Sequence, residues 1–321
     1  VRDPNENIKT IFSEFPGSDR FAAPEGIYRV TGGRGGESFL ILGDERSALY
    51  DCGMAYCHKE LISNIREVLE PLGKDGPDII LMSHTHYDHI GALPYLIAEW
   101  PDIEVMGAEK AVSVFSSGTA KATMERLGRT AALQYGSPDE ADSVTAEGMR
   151  VDRILREGDI VDLGGRFIRV YETPGHTDCS LSYHLLPDDL LFLSESIGLA
   201  RGPELMHASI LKDYRASVAS AIKCRAIGSK HLMSSHYGLV PESYSRKYFE
   251  DYLRVAKEQY DMVSRMMAEG ESYEAILEEY KNRYWSDIRG NNQPFDAFWE
   301  NARIIVKNMM RTVQEDNNCQ R

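Results

Sequence analysis

The run His84-Thr85-His86-Tyr87-Asp88-His89, reached directly from Asp78-Ile79-Ile80-Leu81-Met82-Ser83, decides the reading of this chain. The apolar stretch is short and precedes a segment of helical spacing, so it reads as a buried strand with the histidines at its C-terminal end. Side chains alternate in extended backbone. His84 and His86 therefore project to one side, while Asp88 and His89 fall where the chain turns into the next helix. Four imidazole or carboxylate donors within six residues suit zinc, iron or manganese, and without a cysteine among them the run points to a catalytic rather than a structural site. Taken singly, Asp88 reads as a helix N-cap and each histidine as an exposed or hydrogen-bonded side chain. Their spacing is what argues for a metal.

Outward from that run, β-rich segments at Ile27–Thr31, Ser38–Leu42 and Ala48–Tyr50 are separated by turns such as Gly32-Gly33-Arg34-Gly35-Gly36. A helix is expected over His58–Leu69. After the histidines, Ile90–Trp100 has helical spacing, Ile103–Met106 reads as a strand and Lys110–Leu133 as a helix, with a loop-like Gly136–Gly148. Strands resume at Arg166–Glu172, Leu181–Leu185 and Leu190–Leu193, followed by a helix at Asp213–Ile227 and a strand at His231–Ser234. Beyond Pro241 the pattern is helical: Glu242–Glu269, Tyr273–Tyr284 and Phe295–Gln314, broken at Gly290-Asn291-Asn292-Gln293-Pro294. The expected organisation is a polar segment 1–20, a catalytic domain 21–240 with a helical insertion at about 110–150, and a helical cap 241–321.

One run cannot close two metal sites, and further donors follow at strand exits. His176 lies in Thr173-Pro174-Gly175-His176-Thr177, Glu195 follows Leu190–Leu193, and His236 follows His231–Ser234. With Ser235-His236-Tyr237-Gly238, these motifs resemble the signature of the metallo-β-lactamase superfamily over about Tyr28 to Gly238. The resemblance implies an α/β fold, a four-layer αββα sandwich, here with an appended C-terminal α-helical region. It also implies two divalent metal ions, zinc first with iron or manganese as alternatives. One ion would sit on His84, His86 and His176, the other on Asp88, His89 and His236.

A bridging carboxylate usually joins them. It is normally the aspartate of a Gly-Asp pair, whereas Phe192-Leu193-Ser194-Glu195-Ser196 supplies Glu195, one methylene longer. Asp51, in Asp51-Cys52-Gly53, matches an Asp-x-Gly that orients a ligating histidine, with a turn-forming aspartate as the alternative. His58, His184, His207 and His231 are expected to be structural or solvent-facing, His207, in the loop after Glu195, being the one to watch. Asp88 is expected to orient the nucleophile and take up its proton, and Tyr237 or Tyr87 to donate to the developing oxyanion.

Such a centre can cleave thioesters, lactones, β-lactams or phosphodiesters, so the surrounding elements select the substrate. The insertion and C-terminal helices carry Met124, Met149, Met262, Met266, Met267, Met309 and Met310 with Trp285, Phe295, Phe298 and Trp299. These residues are core packing, or else they cap the cleft around an apolar acyl or aromatic group. The region Tyr87–Leu96, with the helical insertion and the helical C-terminus, looks most similar to quinolone-signal-type thioesterase and lactonase members. A hydrolase acting on a thioester or related small-molecule acyl substrate is therefore expected. The alternatives are a lactonase, a small-molecule phosphodiesterase using Arg201, Lys212 or Lys230, and a metal-binding regulatory protein with a vestigial site. Oxygen-reducing diiron members of the superfamily carry glutamate where His86 stands, which sets redox chemistry aside.

Composition bounds the partners. With 42% hydrophobic and 27% charged residues the chain is of ordinary globular type, and a formal net charge of −14 disfavours nucleic acid. Five scattered cysteines form no C-x-x-C pair, which fits a reducing cytoplasm. Val1–Arg20 lacks the basic flank and apolar core of an export signal, and this counts against an exported β-lactamase. No apolar stretch approaches the roughly 20 residues of a membrane span. The C-terminal helices are a candidate homodimer face.

Overall fold

Short apolar strands pair in chain order to build the first of two sheets. The computed structural model describes residues 24–200, 202, 205–285 and 294–319. Strands β1 (Ile27–Arg29), β2 (Phe39–Leu42), β3 (Ser47–Tyr50), β4 (Ile79–Leu81), β5 (Glu104–Ala108) and β6 (Arg153–Leu155) form a six-stranded sheet in that order. The first three are antiparallel hairpin partners, whereas β3 to β6 run parallel. Parallel neighbours need crossover connections. These are supplied by helices α1 (His58–Leu69), α2 (Tyr87–Ile90), α3 (Leu93–Glu99), α4 (Glu109–Phe115), α5 (Gly118–Tyr135) and α6 (Pro138–Asp142). In α1, Leu61, Ile65 and Leu69 recur every fourth residue and form its buried face.

The second sheet takes β7 (Ile160–Asp162), β8 (Phe167–Glu172), β9 (Leu181–Leu186) and β10 (Leu190–Leu193) as an antiparallel meander. A two-stranded ribbon, β11 (Leu199–Ala200) and β12 (Met206–His207), and helix α7 (Tyr214–Ile227) then lead into β13 (His231–Ser234), parallel to β10, and β14 (Gly238–Val240). Helices α8 (Glu242–Ala268), α9 (Tyr273–Tyr284) and α10 (Phe295–Cys319) follow, with α8 against α7 and β13 and α10 across α8 and α9. This is the expected αββα sandwich with a C-terminal helical region. The expected turn at 290–293 and the segment Val1–Arg20 lie outside the described residues. No helix among the described residues is long and apolar enough to cross a membrane.

Aromatic side chains fill the seam between the sheets. The Tyr50 and Phe192 rings lie 4.8 Å apart, and Tyr183 meets Tyr50 edge-on at 6.1 Å, all three no more than 1% exposed. Polar bonds cross the same seam: the Tyr183 hydroxyl donates to the Met82 carbonyl at 2.6 Å, and the Leu181 amide to the Ser83 carbonyl at 2.7 Å. They lock the end of β4, and hence the histidine run, against the second sheet.

Two local expectations are corrected. The single helix over Lys110–Leu133 is two, α4 and α5, because Ser117 caps the second by accepting from the Ala120 amide. The loop-like Gly136–Gly148 contains α6: Ser137 accepts from the Glu140 amide at 3.3 Å and donates to its carboxylate at 3.1 Å, with Pro138 at the first helical position. Strands β6, β7, β11, β12 and β14 leave no mark in the sequence pattern, since two or three residues are too few to show alternation.

Truncating the seam tests this packing. Phe192→Ala removes a ring from between the sheets and is expected to cost about 3–5 kcal/mol in urea unfolding, against little for the exposed Ile160→Ala. Equal effects at the two positions would contradict the seam as the core.

Candidate metal centre

Each donor of the centre stands where a strand ends. His84 follows β4, His176 follows β8, Glu195 follows β10 and His236 follows β13, so both sheets contribute. Behind them, Asp51 at the end of β3 adopts left-handed backbone with φ of 48°. Its buried carboxylate accepts from the Ser83 amide at 2.7 Å, the Ser83 hydroxyl at 2.6 Å and His89 Nδ1 at 2.9 Å. Because the Ser83 hydroxyl hydrogen is committed to Asp51, His84 Nδ1 at 2.9 Å must donate to the serine oxygen. His176 Nδ1 likewise donates to the Ser209 carbonyl at 2.7 Å. All three imidazoles are thereby fixed with Nε2 turned inward, the arrangement a metal-ligating histidine needs.

The inward atoms fall into two groups, His84 with His86 and His176, and Asp88 with His89, Glu195 and His236, each spanning no more than 4.8 Å. All seven residues singled out in the sequence as ligands are therefore together. Glu195 faces both groups: one oxygen is 2.7 Å from His236 Nε2 and 2.9 Å from His89 Nε2, the other 3.3 Å from His176 Nε2. Asp88 Oδ2 stands 3.5 Å from His236 Nε2. The fit to a divalent cation rests on an orphaned atom. His84 Nε2 is buried without a hydrogen-bond partner among the described residues, while His86 Nδ1 and His176 Nε2 approach to 2.9 Å and His89 Nε2 and His236 Nε2 to 3.1 Å. Ring nitrogens crowded this way in a dry site are satisfied by a cation, which takes the place of any protons they hold.

Burial and neighbouring charge divide the histidines. Burial, with the adjacent imidazoles, holds His84 well below the usual range and His86 down to about 3, and burial also lowers His176; that trio is neutral at pH 7 and ready to ligate. At His89 burial alone would do the same, but the Asp88 charge and the hydrogen bonds to Asp51 and Glu195 outweigh it and raise it well above the usual value. His236 is raised by Glu195 against the same desolvation. Glu195, flanked by His176, His236 and His89, is held well below the usual carboxylate range despite its burial.

Two glycines make the approach possible. A Cβ on Gly36 would lie 2.7 Å from both the Asp88 carbonyl and His89 Nδ1, and the Gly36 amide donates to that carbonyl at 2.9 Å. Gly175, with φ of 138°, packs where a Cβ would meet the Ser217 hydroxyl and backbone.

A cavity of about 530 Å³ opens above the centre, reached by His86, Asp88, His176, Glu195 and His236 from below and by Val255, Tyr284, Trp285 and Phe298 from the C-terminal helices. Tyr237, in left-handed backbone with φ of 67°, lines it, as does Tyr87, whose hydroxyl is buried without a partner among the described residues. His207 also lines it, beside Tyr284. His58 stacks on Tyr95 and bonds to the Ala55 carbonyl, and His184 pairs with Asp189, as structural residues do. Met262 and Met309 belong to the core. Ser83 and Ser209 are supports that the sequence reading does not single out. Ser83 adjoins the histidine run and is open to inference, whereas Ser209 acts through its carbonyl, which no sequence pattern marks.

Fold and centre together define a two-sheet sandwich with a cluster of metal-donor residues at the strand ends of both sheets. The family model described as the metallo-beta-lactamase superfamily matches residues 31–226, and the chain belongs to that superfamily. It is 28% identical over 162 residues to a coenzyme F420H(2) oxidase of Methanothermobacter marburgensis, covering 50% of this chain and 34% of that protein. It is 25% identical over 183 residues to the acyl-coenzyme A thioesterase MBLAC2 of Gallus gallus, covering 56% of this chain and 64% of that one. The chain thus spans less than two thirds of either relative's length. A metallo-beta-lactamase family protein from Thermus thermophilus shares the fold at a TM-score of 0.66 and 16% identity, covering 92% of this chain and 95% of that one.

Removing the support behind the ligands, Asp51→Ala, is expected to weaken divalent-metal binding about 10–100-fold, read by calorimetry on chelator-stripped protein. Wild-type affinity there would leave the aspartate a mere turn residue. The same titration at pH 6 and pH 8 separates the groups. His89 and His236, both raised, hold their protons more firmly and must give them up to ligate, so affinity at their group rises the more with pH; the trio, held low, gives up fewer protons and its affinity changes less. Equal pH dependence at both would overturn that division.

Proposed function

We propose that the protein is a dinuclear-metal hydrolase acting on a thioester or related acyl substrate. The observation that carries this reading is the meeting of the histidine–carboxylate centre with a cavity walled by Val255, Trp285 and Phe298, which suits an apolar acyl or aromatic group beside a hydrolytic site. A likeness to an acyl-coenzyme A thioesterase agrees with it. The likeness to an oxidase covers a third of that protein, and its activity is not carried over.

Two divalent cations, held by His84, His86 and His176 and by Asp88, His89 and His236 with Glu195 between them, would supply hydroxide at neutral pH and polarise the acyl carbonyl. Zinc is the first choice for an all-nitrogen and oxygen donor set, with iron or manganese as alternatives. Asp88, at the mouth of the second group and facing the cavity, orients the nucleophile and takes its proton on a carboxylate oxygen. Tyr237, its ring 6.2 Å from that of His236, donates to the oxygen that gains charge, with Tyr87 as the alternative donor. A thiolate of pKa near 8.5 leaves without a general acid. A small phosphodiester is the second reading, favoured by Lys212 beside the centre; Lys230 lines neither cavity, and Arg201 lies outside the described residues.

The test is thiol release from a series of acyl thioesters by zinc-, iron- or manganese-loaded protein. Turnover abolished by chelator and lowered about 1,000-fold or more by His86→Ala, with a chain-length or aromatic preference, is the expected result. Inertness toward every thioester alongside lactone or bis(4-nitrophenyl) phosphate hydrolysis would replace the acyl-thioester reading. Metal binding without turnover of any of these would favour a regulator.

A further inference from the structure

A second cavity, of about 720 Å³, meets the first at the metal centre. His86, Tyr87 and His176 line both, so a molecule held across the centre has one end in each. The two ends differ in charge. The first cavity sets an apolar wall of Val255, Trp285 and Phe298 beside the donors of the centre and the acids Glu258 and Glu300. Its cations are already engaged: Arg254 pairs with Glu258 at 2.9 Å and Arg283 with Glu279 at 2.5 Å. The second is bordered by Lys110, Lys212 and Arg311, all exposed, against one acid, Asp178, which Lys212 holds at 2.9 Å. Lys110 and Arg311 have no carboxylate partner among the described residues. Ser117 and Thr119, at the start of α5, complete that border.

Three cations gathered at one opening of a chain with formal net charge −14 form a local reversal of sign next to the reacting centre. A neutral acyl tail gains by lying against the Val255, Trp285 and Phe298 wall of the first cavity, where its surface leaves water. An anionic leaving group gains on the other, where ammonium and guanidinium groups meet phosphate oxygens in charge-assisted hydrogen bonds. We propose that the second cavity grips the phosphates of a nucleotide-bearing thiol of the coenzyme A kind through Lys110, Arg311 and Lys212, while the acyl chain occupies the cavity under α8–α10. This assignment rests on the thioester reading above. The scissile bond then lies over His86 and His176. Water adds its oxygen to the acyl carbon as one of its protons passes to the Asp88 carboxylate, the carbon–sulfur bond breaks with its electron pair leaving on sulfur, and the acid formed releases the second proton to solvent, leaving a carboxylate and a thiolate.

The experiment compares one acyl group on coenzyme A, on pantetheine, which lacks the phosphates, and on glutathione, whose charge is carboxylate. Metal-loaded wild-type protein and the variant Lys110→Glu/Arg311→Glu are assayed side by side. Wild type is expected to prefer the coenzyme A ester by kcat/KM, and the variant to lose about tenfold of that preference over the pantetheine ester through KM. A preference for the glutathione ester, or an unchanged ratio in the variant, overturns the phosphate assignment. Should no thioester turn over, the thioesterase reading falls by itself, and calorimetry with adenosine 3′,5′-bisphosphate decides this one. Binding to wild type that weakens about tenfold in the variant upholds the phosphate grip, and absence of binding to wild type ends it.

Discussion

Everything in this fold answers to the difficulty of keeping five imidazoles and two carboxylates in one nearly dry place. A buried polar atom without a partner is costly, and an unpaired buried charge more so. The chain meets that constraint from behind. Asp51 binds Ser83 and His89 together, Ser83 in turn fixes His84, and the Ser209 carbonyl fixes His176. These contacts use up the outer nitrogens and leave the inner ones facing each other. The strand ends, the left-handed turn at Asp51 and the bare backbone at Gly36 are the means by which so many polar groups approach without collision.

The sequence disclosed the centre well because its donors are chemically rare and sit beside unambiguous strands. His84 to His89 follows a run of Ile and Leu, and His176, Glu195 and His236 each close a strand-like run, so convergence could be argued from strand exits alone. Even Glu195, one methylene longer than the aspartate usual in this superfamily, lies between the two groups. What stayed hidden is built from backbone or from short pieces. The Ser209 carbonyl carries no residue signature, and β6 and β7 are three residues long. The break between α4 and α5 turns on a single serine cap that hydrophobic periodicity runs straight through.

The C-terminal helices show why composition alone could not separate packing from lining. Met262 and Met309 point into the core, whereas Trp285 and Phe298 from the same helical region border the cavity. Both sets follow helical spacing. Only the placement of α8, α9 and α10 over the strand ends decides which face meets the centre, and that placement is a tertiary fact. The same holds for Lys110 and Arg311, far apart in sequence and brought to one opening because α10 faces α4 and α5 across the second cavity.

The donors of each group come from both sheets: His84 and His86 from the first and His176 from the second, then Asp88 and His89 from the first and Glu195 and His236 from the second. A cation held by either group is therefore a rivet through the sandwich. The loop before β2 adds a strap alongside it, the Gly36 amide bonding to the Asp88 carbonyl and the Glu37 amide to the Ser235 carbonyl. In mechanical terms the centre and the aromatic seam are two fasteners of one joint. The thickness of the sandwich at Phe192 sets the gauge between ligands at the strand ends, and slack introduced at one fastener is transmitted as play at the other.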